Sequence, residues 1–171
     1  MNSDMSNKTP TFFDHFLSFF PEIELPVTLA DESHHHFSAH NEPIPQELIG
    51  QFLIPYEEDH DDEHTEYIAC LRIPQTYQFH AIVYWKAGLL SYQYFLATFT
   101  EQGELIQKRA IAGTYAGDEK MTQSVATIDD DWIIYVVSGQ LEANESNYQA
   151  SSSTAYKMEL LPEGQIINLT D

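Results

Sequence analysis

The sequence predicts a mainly β or α+β protein: a twisted antiparallel β-meander of seven to nine strands with two short N-terminal helices closing one face or end. Three observations carry this. From Phe79 the residues Phe79, Ala81, Val83 and Trp85 alternate with His80, Ile82 and Tyr84, the period of a strand. The run Leu89 to Thr100 is rich in aromatic and β-branched side chains, which suit a pleated, packed surface. A turn at Gln102-Gly103 leads from that run into Glu104 to Ala112, where glycine supplies the positive φ of a tight hairpin.

The elements follow in order. Residues 1–10 are polar and read as a frayed terminus. A first helix is expected from Pro10 or Thr11 to Phe20, because Thr11 with Asp14 makes a capping-box start and Phe12, Phe16, Phe19 and Phe20 fall on one face. Pro21 stops it. Glu22 to Leu29 alternates Ile23, Leu25, Val27 and Leu29 around Pro26, the pattern of an edge strand or extended segment. Ala30 to Asn41 shows no periodicity and carries His34, His35, His36 and His40, so it reads as a loop. A second helix is expected over Pro45 to Leu53, with Leu48, Ile49, Phe52 and Leu53 inward. Tyr56 to Thr65 is almost purely ionic and reads as an exposed loop.

From Tyr67 the pattern becomes strand after strand: Tyr67 to Ile73, Gln78 to Ala87, Leu89 to Thr100, Glu104 to Ala112, Met121 to Ile128, Trp132 to Ser138, Thr154 to Leu161 and Gln165 to Thr170. Connections this short pair neighbours antiparallel, since parallel strands need crossovers of a dozen or more residues. Leu141 to Ser153 is too polar for a core and reads as a long loop. The whole, 1–171, is expected to be a single domain: a helical, acidic and histidine-rich segment over 11–66, then the strands of 67–171.

Composition limits function. The chain holds 27 acidic and 7 basic residues, a formal charge of -20, and no Lys or Arg lies between Lys8 and Arg72. Such a field repels phosphate backbones and anionic membranes, so neither nucleic acid nor a membrane is expected as partner; the charge reads first as an adaptation for solubility or a salty habitat, and second as a means of steering a basic protein partner. No basic n-region with an apolar core opens the chain, so a cytoplasmic location is expected. The single cysteine, Cys70, lies within a strand pattern and reads as a small hydrophobe, and no internal disulfide can form.

Two constellations stand out. Tyr77, Tyr84, Tyr92 and Tyr94 lie on neighbouring strands, and aromatics on an exposed sheet face bind ligands or partners, whereas on a covered face they fill the core. His60-Asp61-Asp62-Glu63-His64 matches the H-x-x-E-H string of zinc peptidases. Glu57 to Glu66 has no apolar residue to anchor a catalytic helix, so the string is weighed instead with His34 and His36 as a metal-binding set, His34, His36, His60 and His64. The favoured expectation is a non-catalytic binding module with an acidic surface and no cofactor. The alternative is a small metal binder or metal-dependent hydrolase.

The layout resembles that of small bacterial β-rich proteins with no assigned activity. The likeness lies in the phenylalanine-rich opening before Leu25-Pro26, in Ile44-Pro45-Gln46-Glu47-Leu48, and in the Leu96 to Ile106 hairpin. It implies no residue roles.

Overall fold

The computed structural model describes residues 11–57, 61–117, 120–142 and 153–169, the side chains of 141 and 142 excepted. Helix α1 spans Phe12–Leu17 and opens with the capping box: Asp14 N–H donates to Thr11 Oγ1 and Thr11 N–H to the Asp14 carboxylate. It ends three residues before the expected Phe20. Its buried face is Phe13, Phe16 and Leu17, with Phe20 just beyond, while Phe12 is 64% exposed. The expected inward position of Phe12 is therefore wrong by one residue, because the packing of Phe13 against Phe52 and Phe99 sets the rotation of so short a helix.

Strand β1 (Val27–Leu29) follows, then a helix where a loop was expected, α2 (Ser33–His40). Helix α3 (Gln46–Phe52) buries Leu48, Ile49 and Phe52 and runs into a 3-10 turn at Ile54–Tyr56. Eight further strands are β2 (Glu66–Arg72), β3 (Phe79–Ala87), β4 (Ser91–Thr100), β5 (Leu105–Ala116), β6 (Lys120–Ile128), β7 (Ile133–Glu142), β8 (Thr154–Leu160) and β9 (Ile166–Leu169). They lie in one antiparallel sheet in chain order from β2 to β9, and β1 pairs with β6. The protein is thus mainly antiparallel β. No helix among the described residues is long and apolar enough to cross a membrane.

The sheet splits at β5. That strand pairs with β4 from Leu105 to Tyr115 but with β6 only over Gly113–Ala116. Below the split β9 comes alongside: the Gln107 side chain donates to Ile166 O (3.0 Å) and accepts from Ile166 N–H (2.8 Å), and Thr98 Oγ1 donates to Gly164 O (2.7 Å). The sheet so curls that one face encloses a core and the other looks outward. The enclosed core takes Leu29, Phe37, Val83, Trp85, Tyr94, Leu96, Ile134, Val136, Met158 and Leu160 among others. A second core forms outside, where α1 and α3 lay Phe16, Phe20, Leu48 and Phe52 over Ile82, Tyr84, Ala97 and Phe99. Strand β3 is therefore apolar on both faces, which explains its nearly unbroken hydrophobic run.

The outer edge of β2 is closed too. Asn41 Nδ2 donates to Ala69 O (2.7 Å) and Cys70 O (3.0 Å), and Arg72 N–H donates to Pro21 O (2.8 Å). These bonds occupy ladder groups that would otherwise be open to another strand.

Candidate binding cleft

The alternation of β3, β4 and β5 presents different chemistry on the two faces of their shared end. Trp85, Tyr94 and Tyr92 point inward, where Trp85 pairs with Tyr94 and Ala87 with Tyr92; Tyr84, Lys86, Gln93 and Phe95 point outward.

On the inner side the α2 helix brings His34 flat onto Trp85, with ring centroids 4.1 Å apart and planes 3° from parallel. Tyr92 lies beyond at 6.2 Å from Trp85, 9° from parallel. The turn before α2 is pinned by His34 Nδ1–H donating to Asp31 O (2.6 Å), Ala30 N–H to Ser33 Oγ (3.0 Å) and the buried Tyr94 hydroxyl to Ala30 O (2.8 Å). Pinning the turn fixes Asp31. Its carboxylate accepts from Thr114 Oγ1 (3.2 Å) and from Gln123 Nε2. Asp31, His34, Trp85, Tyr92, Thr114, Met121 and Gln123 together line a cleft of about 540 Å³. Among the described residues no Lys, Arg or His pairs with Asp31. Two of its roughly four lone-pair positions are taken, so acceptor capacity remains beside the rings.

No family model, curated protein or solved structure matches this chain. The cleft has to be read from its own chemistry.

The four tyrosines do not form one surface. Tyr77 is exposed in the turn between β2 and β3, Tyr92 lines the inner cleft, Tyr94 is buried in the enclosed core, and Tyr84 is buried under the helices on the opposite face. Alternation separates them: Tyr84 is an odd step from the inward Trp85, while Tyr92 and Tyr94 share its side.

The histidines are likewise divided. His34 and His36 sit two residues apart on α2, and residues at that spacing do not face each other on a helix. His36 instead meets His40, one turn on, with ring centroids 4.2 Å apart and planes tilted by 33°. His64 sits in an exposed turn beside Glu63, and His60 lies outside the described residues. Among the described residues the group of three metal-type ligands that converge is Asp129, Asp130 and Asp131, in the turn before β7, where the Asp129 carboxylate accepts from Asp131 N–H and Ile133 N–H as a turn cap.

The outer face carries an ionic network that no spacing in the sequence announces. Glu57, nearly fully buried, accepts from the Tyr84 hydroxyl (2.7 Å) and from Lys86 Nζ (2.9 Å), and Lys108 Nζ lies 3.2 Å from it. Asp61 accepts from the Tyr67 hydroxyl (2.7 Å) and lies 3.2 Å from Lys86 Nζ. Burial, the Asp61 bond and the Glu57 charge push the Tyr67 phenol well up, and burial with the charge and bond of Glu57 does the same to Tyr84. Burial alone would lower Lys86, but its bonds and attraction to Glu57 and Asp61 outweigh that and hold it above its ordinary value. The loop between α3 and β2 that read as solvated is, at Glu57 and Asp61, bound to the sheet.

Proposed function

We propose that the protein is a non-catalytic binding module for a basic partner, and that the inner cleft seats a cationic side chain or ligand of that partner. The observation that carries this reading is the Asp31 carboxylate, with no Lys, Arg or His partner among the described residues, held beside the stacked rings of His34, Trp85 and Tyr92. Aromatic faces attract cations through their quadrupole, and a carboxylate adds a directional acceptor. A pocket with mostly apolar walls and a few convergent polar groups is where a ligand binds best. The formal charge of -20 draws basic partners and disfavours acidic ones. A neighbouring hollow of about 520 Å³, sharing Asp31 and Gln123 and flanked by the exposed Val125 and Val137, extends this surface.

The test is a nuclear magnetic resonance titration with N-acetyl-arginine amide and with a short arginine-rich peptide, with acidic counterparts as controls. Saturable shifts are expected at the Trp85 indole and the rings of His34 and Tyr92, with affinity falling about tenfold in Asp31→Asn or Tyr92→Ala. Scattered, non-saturating shifts, or an Asp31→Asn variant that binds as the wild type does, would rule the reading out.

A further inference from the structure

The outer face holds a second cavity of about 520 Å³, lined by Glu57, Lys86, Lys108 and Arg109 with Ser91, Gln93, Phe95, Ala110 and Tyr115. Three of the seven Lys and Arg residues of a chain with formal charge -20 meet there.

Three of the four carboxylate oxygens of Glu57 and Asp61 accept a hydrogen bond or ion pair from the protein, and the fourth, the buried Asp61 Oδ1, has Lys86 within ion-pair distance but no hydrogen bond among the described residues. Glu57 Oε1 takes the Tyr84 hydroxyl and Lys108, and Oε2 takes Lys86; Asp61 Oδ2 takes the Tyr67 hydroxyl, and Oδ1 faces Lys86. An ammonium has three N–H groups and a guanidinium five. Among the described residues Lys86 meets Glu57 and Asp61 and lies over the Tyr67 ring (5.7 Å), and Lys108 meets Glu57 and Tyr56 O (2.9 Å) and lies over the Phe95 ring (4.8 Å). Arg109 Nη2 donates to Asn168 Oδ1 (2.8 Å), and no described carboxylate lies within ion-pair distance of Arg109. Lys86, Lys108 and Arg109 thus exceed Glu57 and Asp61 by one positive charge, and Ser91 and Gln93 add further donors. Phe95, Ala110 and Tyr115 give the cavity apolar walls, beside which short-range attraction is strengthened. The distant carboxylates are screened beyond about 8 Å at physiological salt.

We propose that this cavity is a second binding site, separate from the inner cleft, for a small organic anion: a carboxylate or phosphate monoester with a flat apolar body, held by the fork of Arg109 and attracted by the neighbouring ammonium groups of Lys86 and Lys108. Arginine suits such a site because its planar fork matches both anions bidentately.

The test is isothermal titration of the full chain at constant ionic strength with phenyl phosphate, benzoate and the neutral benzyl alcohol. Saturable binding of one or both anions is expected, about tenfold weaker in Arg109→Gln and intermediate in Arg109→Lys. Phenyl phosphate alone binding assigns the site to phosphate esters, and both binding assigns it to small anions generally. The Arg109 Nε–H resonance of the wild type should move with the same isotherm while the Trp85 indole does not, a readout that needs no variant. No saturation by either anion below about 10 mM, equal binding of benzyl alcohol, or a stationary Arg109 resonance overturns the proposal. Failure here leaves the inner cleft untouched, since its probes are cations and its reporter is Trp85.

Discussion

The two faces of β3, β4 and β5 at their shared end are made from adjacent residues yet solve opposite problems. Inward, Trp85, Tyr92 and Tyr94 are roofed by the turn and helix at 30–40, and among the described residues no Lys, Arg or His pairs with the Asp31 carboxylate beside them. Outward, Tyr84 and Lys86 are roofed by Glu57 and Asp61, and each of these carboxylates is tied to the sheet by a tyrosine hydroxyl and a lysine. Since successive strand residues face opposite ways, one register fixes both sites. The inner carboxylate lies beside the rings of His34, Trp85 and Tyr92, whereas the outer carboxylates bind the segment that carries them to the sheet.

The most severe way to break this comparison is at the backbone both faces share. Gly113 sits at φ +121 opposite Gln93, and a Cβ there would overlap the Tyr92 carbonyl oxygen and come within 2.6 Å of Gln93 Cα. Backbone cannot yield as a flexible side chain can. Gly113→Ala is expected to cost about 4 kcal/mol or more in urea unfolding, and to disturb the inner and outer cavities together. A loss under about 1 kcal/mol would show that β4 and β5 can move apart there at little cost.

A smaller break should separate the faces. Glu57→Gln leaves Lys86 and Lys108 buried against an amide, and removing one partner of a buried ion pair typically costs about 3 kcal/mol. Glu163→Gln, in the exposed turn before β9, should stay within about 0.5 kcal/mol. Cation affinity at the inner cleft should be unchanged in Glu57→Gln. If stability barely moves, the outer network is solvated and does not hold the roof.

How far the sequence disclosed these faces depends on the range of the contacts. The alternation of Phe79, Ala81, Val83 and Trp85, the Thr11 with Asp14 cap and the apolar set Leu48, Ile49 and Phe52 are local, and the mainly antiparallel β class follows from such patterns. Helix α2 was illegible because its only fully buried side chain is Phe37; it is held by tertiary contacts such as His34 on Trp85, not by an apolar stripe. Strand β5 runs on through Gly113 to Ala116, past its expected end at Ala112, because the glycine that weakens a strand locally is required by the close approach of β4. Strand β7 likewise continues to Glu142, past the expected Ser138, paired along β6. The cleft joins Asp31 to Thr114 and Gln123, and the network joins Glu57 to Lys86 and Lys108, partners no local pattern can link.

The gentlest test compares how each face protects a phenol. Outward, Tyr84 donates to a carboxylate, so ionisation would set a phenolate against Glu57; inward, Tyr94 donates to the Ala30 carbonyl within the core. Burial is the leading cause in both, and both pKa values are raised above the ordinary value of 10.0. Above that pH the unfolded chain releases these protons while the folded chain keeps them. The unfolded state then binds fewer protons, so stability is fully present below pH 10 and falls as pH rises, by about 1.4 kcal/mol per pH unit for each such tyrosine. Lys86, also raised, acts in the same direction above its ordinary 10.5. Urea unfolding of the wild type, Tyr84→Phe and Tyr94→Phe between about pH 9 and pH 11.5 should show each variant losing roughly one proton's worth of slope. Tyr84→Phe should also lower stability at neutral pH by about 1–2 kcal/mol through loss of its charge-assisted bond, and Tyr94→Phe by less, because its acceptor is a neutral carbonyl. A wild-type slope unaltered by Tyr94→Phe would mean that phenol ionises in the folded protein. The inner roof at Ala30 would then open to water, and the turn that carries Asp31 would lack the fixed position on which the cleft depends.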